Sequence, residues 1–588
     1  MRFRFGHPLS THVISWRWAQ AGIVACWLLA AVAGCNRSNP PPSKSADGPN
    51  LSSPDTPRAA HQSKARFVEM TRHAGIDFVP RNGQEANEFA ILETLGAGVA
   101  LMDYDLDDDL DVFFAGGGEF GSDGGIVGCR PVFYRNDGDW HFQEVSELAG
   151  LNEERLYSHG AIAGDYDDDG DPDLLVTGYG GLLLYQNQGD GTFTEAARAV
   201  GLQSSLWNTS AAWGDLNGDS ILDLYVVRYV NWSLENHPKC NGSLGIVRDV
   251  CAPSIFQPVA DMLFFGTGDG SFRQAGSETG IGEAGMGLAV LLGDVDLDGD
   301  LDIYVANDTT QNLLYTNDGQ GVFRERGLEL GVALSDISEA DGSMGVDLGD
   351  FNLDGLPDLW VSNFEDQTFA LYRNDGDSLF QHVSNRVGIG AMGGVFVGFG
   401  TSFFDFDRDG DEDIVATNGH VMRVARNAPI RQPPLLFENL DGRRFVNVAA
   451  QAGAYMSSPH MGRGLAVADL DRDGDLDVVV SHINEPVSLL SNESENHHHW
   501  ISFHLIGCQS PRDAVGSVVR IRAGGKTQLR TSCGGRSYLS TNSPDLFFGL
   551  ADQTQVDQVD IRWPSGVTMR LEHVPADQRI TLVEPTGP

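Results

Sequence analysis

The chain has 588 residues, with 82 Asp+Glu against 39 Lys+Arg and a formal net charge of −43. That balance excludes nucleic acid as a direct partner, because phosphate binding needs clustered cations. Apolar residues make up 41% and Gly occupies 71 positions, so the acid comes with a core and many tight turns, not with disorder; length alone allows about four domains.

Residues 1–35 read as an export signal. Arg2, Arg4 and Arg17 form a basic start, and the apolar run Ala21–Gly34 has 14 residues, too few to span a bilayer comfortably. The run ends Val32-Ala33-Gly34-Cys35, which resembles the bacterial lipobox. The resemblance implies that Cys35 carries lipid; ordinary cleavage after small residues is the alternative. Asn36, where Asp would resemble an inner-membrane retention signal, favours the outer membrane. The expected product is an exported lipoprotein of the outer membrane or cell surface, with the periplasmic side also open. It meets the membrane only through the N-terminal lipid. Residues 36–65 hold six Pro and six Ser and read as a disordered tether.

Three signatures then recur in fixed order. Seven Phe-led segments, beginning FVEMTRHAG at Phe67, each carry Gly as the ninth residue: Gly75, Gly150, Gly201, Gly280, Gly331, Gly388 and Gly453. An apolar strand ending in Asn recurs in forms such as LLYQN and LLYTN, truncated to SLLSN at 488–492. Between them lie seven acidic loops of nine residues, each flanked by apolar strands. Four short strands per unit of about 60 residues predict an all-β fold: a seven-bladed β-propeller over 66–495, followed by a small all-β C-terminal domain over 497–586. A linear solenoid is rejected because the period is too long for a β-helix coil.

The loops place acidic groups at positions 1, 3, 5 and 9. These are Asp103, Asp105, Asp107 and Asp111; Asp165, Asp167, Asp169 and Asp173; Asp215, Asn217, Asp219 and Asp223; Asp294, Asp296, Asp298 and Asp302; Asp350, Asn352, Asp354 and Asp358; Asp405, Asp407, Asp409 and Asp413; and Asp469, Asp471, Asp473 and Asp477. Without a cation such a turn repels itself. Gly at position 6 permits the positive φ of a tight wrap, with Asp108 and Ser220 the departures. An all-oxygen cage of carboxylates suits Ca²⁺, up to seven ions, better than Mg²⁺. The loops are not EF-hands, because position 12 falls inside a strand and ligation finishes at position 9. Together they hold 34 of the 82 carboxylates; seven Ca²⁺ would leave a charge of about −29.

These loops and strands resemble the FG-GAP/VCBS repeats of integrin-α-type propellers. That resemblance implies Ca²⁺ held on one rim by the Asp positions above. The tail resembles the ASPIC/UnbV domain, as found in the cartilage acidic protein family. It does so through Trp500, Gly507, Arg512-Asp513-Ala514-Val515-Gly516, Gly524-Gly525, Tyr538-Leu539-Ser540, Phe548-Gly549-Leu550 and Arg562-Trp563-Pro564-Ser565-Gly566, departing at Pro511 and Ala551. The resemblance implies little chemistry.

Cysteine usage fits export: Cys240 and Cys251 stand eleven apart and read as a disulfide, Cys508 and Cys533 as a further candidate pair, and Cys129 as a buried thiol. GIGEAG and GIGAMG match a dinucleotide fingerprint but lack its strand–helix context. Gly525-Lys526-Thr527 lacks the first glycine of a phosphate loop. His497-His498-His499 reads as a solvated linker, and Asn307-Asp308, Asn363 and Asn418-Gly419-His420 either line a rim or cap strand ends. No nucleophile or metalloprotease motif is present. The function these features favour is an adhesion or binding module for a protein or glycan. Alternatives are an extracellular glycan-active enzyme or lectin, and an accessory factor for an exported complex.

Overall fold

The computed structural model describes residues 61–586, except 123, 154, 243, 244, 246, 377, 378, 393 and 426. The export signal, Cys35 and residues 36–60 of the expected tether lie outside the described residues. Residues 61–65, expected in the tether, dock instead: His61 Nε2 lies 2.8 Å from Glu438, and Ala65 is buried beside Phe67, Phe404 and Phe406.

Among the described residues, seven four-stranded antiparallel sheets succeed one another between residues 67 and 492, and we number these blades 1 to 7 by their acidic loops. In blade 1, Val99–Met102, Asp111–Phe114, Val132–Asn136 and Phe142–Glu144 pair in sequence order. Short turns make sequence neighbours into sheet neighbours. Innermost strands such as Gly287–Gly293 are apolar and buried throughout, because each sheet is covered on both faces by other sheets. Outermost strands bury only their Phe, as Phe323 does beside exposed Arg324. The inner strands touch in cyclic order, and Gly462–Ala468 of blade 7 packs on Val99–Met102 of blade 1, closing a propeller.

The closing blade borrows its outer strand from the other end of the chain. Phe67–Glu69 pairs with Ser488–Asn492, Phe67 opposite Asn492, just as Phe445 stands opposite Asn439 in blade 6. The first Phe segment therefore completes the unit that the repeat leaves truncated at 488–492. The ninth-residue glycines sit at a shared close approach. All seven have positive φ, and a Cβ on any of them would come within 3.3 Å of the carbonyl of the next blade's Phe, Gly453 facing Phe67. Gly280 and Gly388, which open the two dinucleotide-like matches, are two of these turn glycines.

Residues 499–583 form two further sheets around Ile501, Phe503, Val519, Phe548 and Trp563. His499–Ile506 pairs in parallel with Gln578–Val583, and the other pairs are antiparallel. This module is not a separate bead. Its segment 532–543 fills the propeller's channel and pairs with exposed edges of the inner strands. Thr541 bonds Val99 (2.9 Å), Leu539 accepts from Ala161 (3.0 Å), Gly534 exchanges bonds with Leu292, and Ser537 does so with Val346. Ser537 Oγ also accepts from Thr401 and donates to Leu465, while a Cβ on Gly535 would meet Ala212, so all seven blades are reached.

Cys240 and Cys251 form a disulfide with Cα atoms 5.2 Å apart. Cys508 and Cys533 do not pair: Cys508 lies exposed on a module loop, and Cys533 enters the channel beside Thr531. Cys129 is half-buried. Among the described residues, no helix is long and apolar enough to cross a membrane.

Phe67 is 2% exposed and anchors the closing strand. Phe67→Ala is expected to lower unfolding free energy by about 3–5 kcal/mol in urea titrations. A loss below about 1 kcal/mol would show that the N-terminal strand does not hold the ring.

Candidate metal centres

Each loop divides its carboxylates between building the turn and facing its centre. The position-9 aspartates are at most 3% exposed. In blade 1, Asp111 accepts the N–H of Tyr104 at 3.0 Å on one oxygen and that of Asn136 at 2.8 Å on the other. Asp413 likewise accepts from Phe406 at 3.2 Å and Asn439 at 2.7 Å. The loop start and the third strand are thereby tied to one buried group. Position 1 accepts the N–H groups that follow across the turn: Asp165 takes those of Asp169 (3.0 Å) and Gly170 (2.9 Å). Position 5 caps position 7, as Asp409 accepts from Asp411 at 3.0 Å. Backbone wrap needs positive φ twice. Position 6 has it at Gly170, Gly299, Gly355, Gly410 and Gly474, and also at Asp108 and Ser220. Position 4 has it at Leu106, Asp168, Gly218, Leu297, Leu353, Arg408 and Arg472, an uncommon state for side-chain-bearing residues.

Positions 1, 3 and 9 converge in five loops. Asp103/Asp105/Asp111, Asp165/Asp167/Asp173, Asp294/Asp296/Asp302, Asp405/Asp407/Asp413 and Asp469/Asp471/Asp477 each bring three carboxylate oxygens within 4.8 Å of one another. Position 5, predicted as a ligand through Asp107, Asp169, Asp298, Asp409 and Asp473, lies outside these triads. The third and fifth loops carry Asn217 and Asn352 at position 3 and form no such triad among the described residues. There the turn is closed by the amide: Asn217 accepts from Asp219 at 2.9 Å, and Asn352 Nδ2 donates to Asp354 at 2.8 Å.

The clusters fit a hard cation by an observation independent of their spacing. Asp167 Oδ1, Asp294 Oδ1, Asp469 Oδ1 and Asp471 Oδ1 are buried and accept no hydrogen bond, a state that is costly for a carboxylate. In the cation's absence, burial pushes Asp111 and Asp173 up to about 9, Asp223 and Asp469 to about 8, and Asp165 to about 7. It raises Asp302, Asp413 and Asp477 well above the carboxylate range. A bound cation reverses that balance by favouring the ionised form.

Sequence reasoning missed a second set of residues, the strand-terminal asparagines. Asn439 Nδ2 donates to Glu412 O of its own loop (3.0 Å) and to Phe351 O of the preceding blade's loop (2.8 Å). Asn136, Asn187, Asn317 and Asn374 repeat the double bond, and Asn492 reaches Phe406 O. Blade 3 has Gly266 in that place and lacks the staple. Their recurrence in the LLYxN signature was the available signal. Asn307, Asn363 and Asn418 instead spend their amides on nearby carbonyls, of Gln311, Thr368 and Pro433.

The C-terminal module covers this acidic rim. Residues 497–586 carry nine Lys/Arg against eight Asp/Glu, far from the balance of the whole chain. Arg579 meets Asp108 at 3.0 Å, Arg530 meets Glu412 at 3.1 Å, and Arg562 pairs with Asp294. His498, expected in a solvated linker, donates to Asp407 O at 2.7 Å, and His499 pairs with Asp577. Where module and channel meet, a cavity of about 270 Å³ is lined by Trp213, His504, Arg512, Asp513 and Asp545 among others.

Repeated acidic loops on a closed propeller, capped by a β module, define a recognisable class. The chain carries FG-GAP-like repeats, matched over residues 103–176, 165–226, 294–361 and 350–416, and an ASPIC and UnbV domain over 507–588. Its relatives include cartilage acidic protein 1. It is 22% identical to the Mus musculus protein over 519 residues, 80% of this chain and 71% of that protein. With the Homo sapiens protein the identity is 23% over 513 residues, 80% of this chain and 69% of that one. Among solved structures it is similar to an Agrocybe aegerita lectin specific for non-reducing terminal N-acetylglucosamine. There the identity is 15% and the TM-score 0.36, covering 68% of this chain and 95% of the lectin. So low a likeness carries no functional argument.

A carboxylate whose folded pKa is raised binds protons more tightly in the folded state, so it withdraws stability as pH rises from its unfolded value, about 3.9, towards the folded one. Chelated protein is therefore expected to melt at a lower temperature at pH 8 than at pH 5. Excess divalent cation should remove or invert that slope. Parallel slopes with and without chelator would rule out cation binding at these loops.

Proposed function

We propose that this chain is an exported, lipid-anchored, Ca²⁺-binding propeller that acts as an adhesion or binding module for a protein or glycan. The observation that carries the reading is the set of five carboxylate triads, three of which hold buried, unpartnered oxygens. Their all-oxygen donor sets suit Ca²⁺, which tolerates irregular coordination, better than Mg²⁺, which demands octahedral geometry. The Cys240–Cys251 disulfide supports an oxidising compartment. Extracellular Ca²⁺ modules bind at about 10⁻⁴–10⁻³ M, the range in which a structural ion loads after export. The Ca²⁺ role here is to neutralise and fix the loops, which leaves the blade surfaces and the far rim for a partner.

A second reading, a lectin or glycan-active enzyme, is supported by the cavity at the channel mouth. It presents Trp213 together with two carboxylates outside the acidic loops, Asp513 and Asp545. Burial raises Asp513, whereas His504 and Arg579 hold Asp545 below its ordinary value, and carboxylates driven apart in this way suit acid and base roles.

Calcium titration is expected to raise the melting temperature saturably, each site contributing about 2.7 kcal/mol at a hundredfold excess over its Kd, with Mg²⁺ far weaker. Absence of a shift would remove the metal reading. A glycan array with and without EDTA separates the partners: glycan retention supports the lectin, release of reducing ends the enzyme, and neither the protein adhesin. Cys35→Ala is expected to move the protein from the membrane to the soluble fraction, and unchanged fractionation would refute the lipid anchor.

A further inference from the structure

The strands that leave the acidic loops end, at their far tips, around a second and unrelated site. Arg463 follows Gly462 at the start of blade 7's inner strand, at the opposite end from loop 469–477. It is 0% exposed. Its Nε donates to Thr94 O at 2.9 Å, and its Nη1 to Gly419 O at 3.1 Å and Gly462 O at 2.7 Å. The guanidinium lies 3.9 Å from the centre of the Phe399 ring. Nη2 is buried without a hydrogen-bond partner.

Arg463 is anomalous in this chain. A guanidinium stays charged at any ordinary pH, and a buried charge without a counter-ion is costly. The chain holds 82 acidic residues, yet among the described residues none pairs with this one. The carboxylates around the site are committed elsewhere: Glu485, whose charge reaches Arg463, pairs with Arg431 at 2.8 Å, Glu93 pairs with Arg423 and accepts the N–H of Ala90 at 3.0 Å, and Glu365 lies against His420 at 3.3 Å. The surroundings are also shaped for the side chain. A Cβ on Gly96 would fall 2.5 Å from Arg463 Cγ, and one on Gly419 would fall 3.0 Å from its Nη1.

Arg463 lines a cavity of about 220 Å³ together with His420, Arg423, Glu93, Met461 and Ile483. His420 is fully buried, and its Nδ1 accepts the N–H of Met422 at 2.9 Å. That bond fixes the neutral tautomer with the proton on Nε2, which faces Glu365 Oε2 at 3.3 Å. Arg423, with 23% of its side chain exposed, marks the way out to solvent.

We infer that this cavity binds a small organic monocarboxylate, one oxygen of which takes Arg463 Nη2–H while the carbon body lies against Met461 and Ile483. The anion supplies the counter-charge that Arg463 lacks. Glu93 on the cavity wall repels a dianion such as phosphate. At about 30 Å³ per water, the space equals roughly seven waters, enough for a short-chain acid.

The test uses the full chain loaded with Ca²⁺, with butyrate and inorganic phosphate as probes, read by thermal melting and calorimetry. Butyrate is expected to bind saturably with one site per chain and to raise the melting temperature, while phosphate at equal concentration does neither. Ile483→Phe fills the cavity and leaves Arg463 in place, and it should abolish butyrate binding while the protein still melts cooperatively. Arg463→Met, if it folds, should lose binding as well. No butyrate binding at tens of millimolar would overturn the inference, and so would binding that survives in Ile483→Phe or a preference for phosphate.

Discussion

Burying a carboxylate is costly unless its oxygens find donors, and every blade but the fifth, where Asp358 Oδ2 has no partner, supplies them at loop position 9. There one aspartate receives a backbone N–H on each oxygen, from the loop's second residue and from the end of the third strand. Satisfying that group fixes the path of all nine residues. The path then turns positions 1 and 3 inward beside position 9, and the density of negative charge that results is tolerable only with a cation or with protons. The cluster of carboxylates is thus a by-product of how the turn is held together. In blades 3 and 5 an amide at position 3 closes the same turn with less charge.

A large part of the acidity, 34 of 82 carboxylates, is gathered in the loops and met within a few ångströms. Part faces the loop centres. Part faces the nearly neutral C-terminal module, whose Arg579, Arg530 and Arg562 sit on blades 1, 6 and 4. Arg562 leaves half of Asp294 open: the arginine takes Oδ2, and Oδ1 remains buried and unpartnered. The module therefore belongs to the rim's electrostatics as much as to its surface.

The repeat made most of the fold legible, because a loop that must wrap tightly and a strand that must be covered on both faces leave periodic marks in composition. What escaped was anything built from two distant stretches. Phe67 reads as the first residue of unit one, and only ring closure makes it the last strand of unit seven. The channel segment carries family-like residues Tyr538, Leu539 and Ser540, but no local pattern says that they pair with inner strands more than 400 residues earlier. Cys508 and Cys533 look like partners for the same reason that they are not: parity and spacing carry no information about a segment that leaves its own domain. Position 4 escaped as well, since Leu106, Leu297 and Leu353 give no hint of a left-handed backbone. The acidic positions 1, 3 and 9 were legible, but Asp108 and Ser220 single out loops 1 and 3, whereas loop 1 forms a triad and loops 3 and 5, with Asn217 and Asn352, do not. The turn-capping role of position 5 was not legible.

Two features make the ends of the chain answer to each other. Strand Phe67–Glu69 has no sheet until residues 488–492 exist, and the channel has no filling until residues 532–543 exist. A chain is made from its N-terminus. Between the completion of blade 6 at Phe445–Asn447 and the arrival of 488–492, then, six blades stand as an open arc whose two flanks and inner edges are unpaired, and such edges recruit other chains. Assembly is settled late in the sequence, so truncation before residue 488 costs the ring its closure and truncation before 532 costs the channel its filling, and a nascent chain of this design needs either speed or a protected passage until those residues arrive.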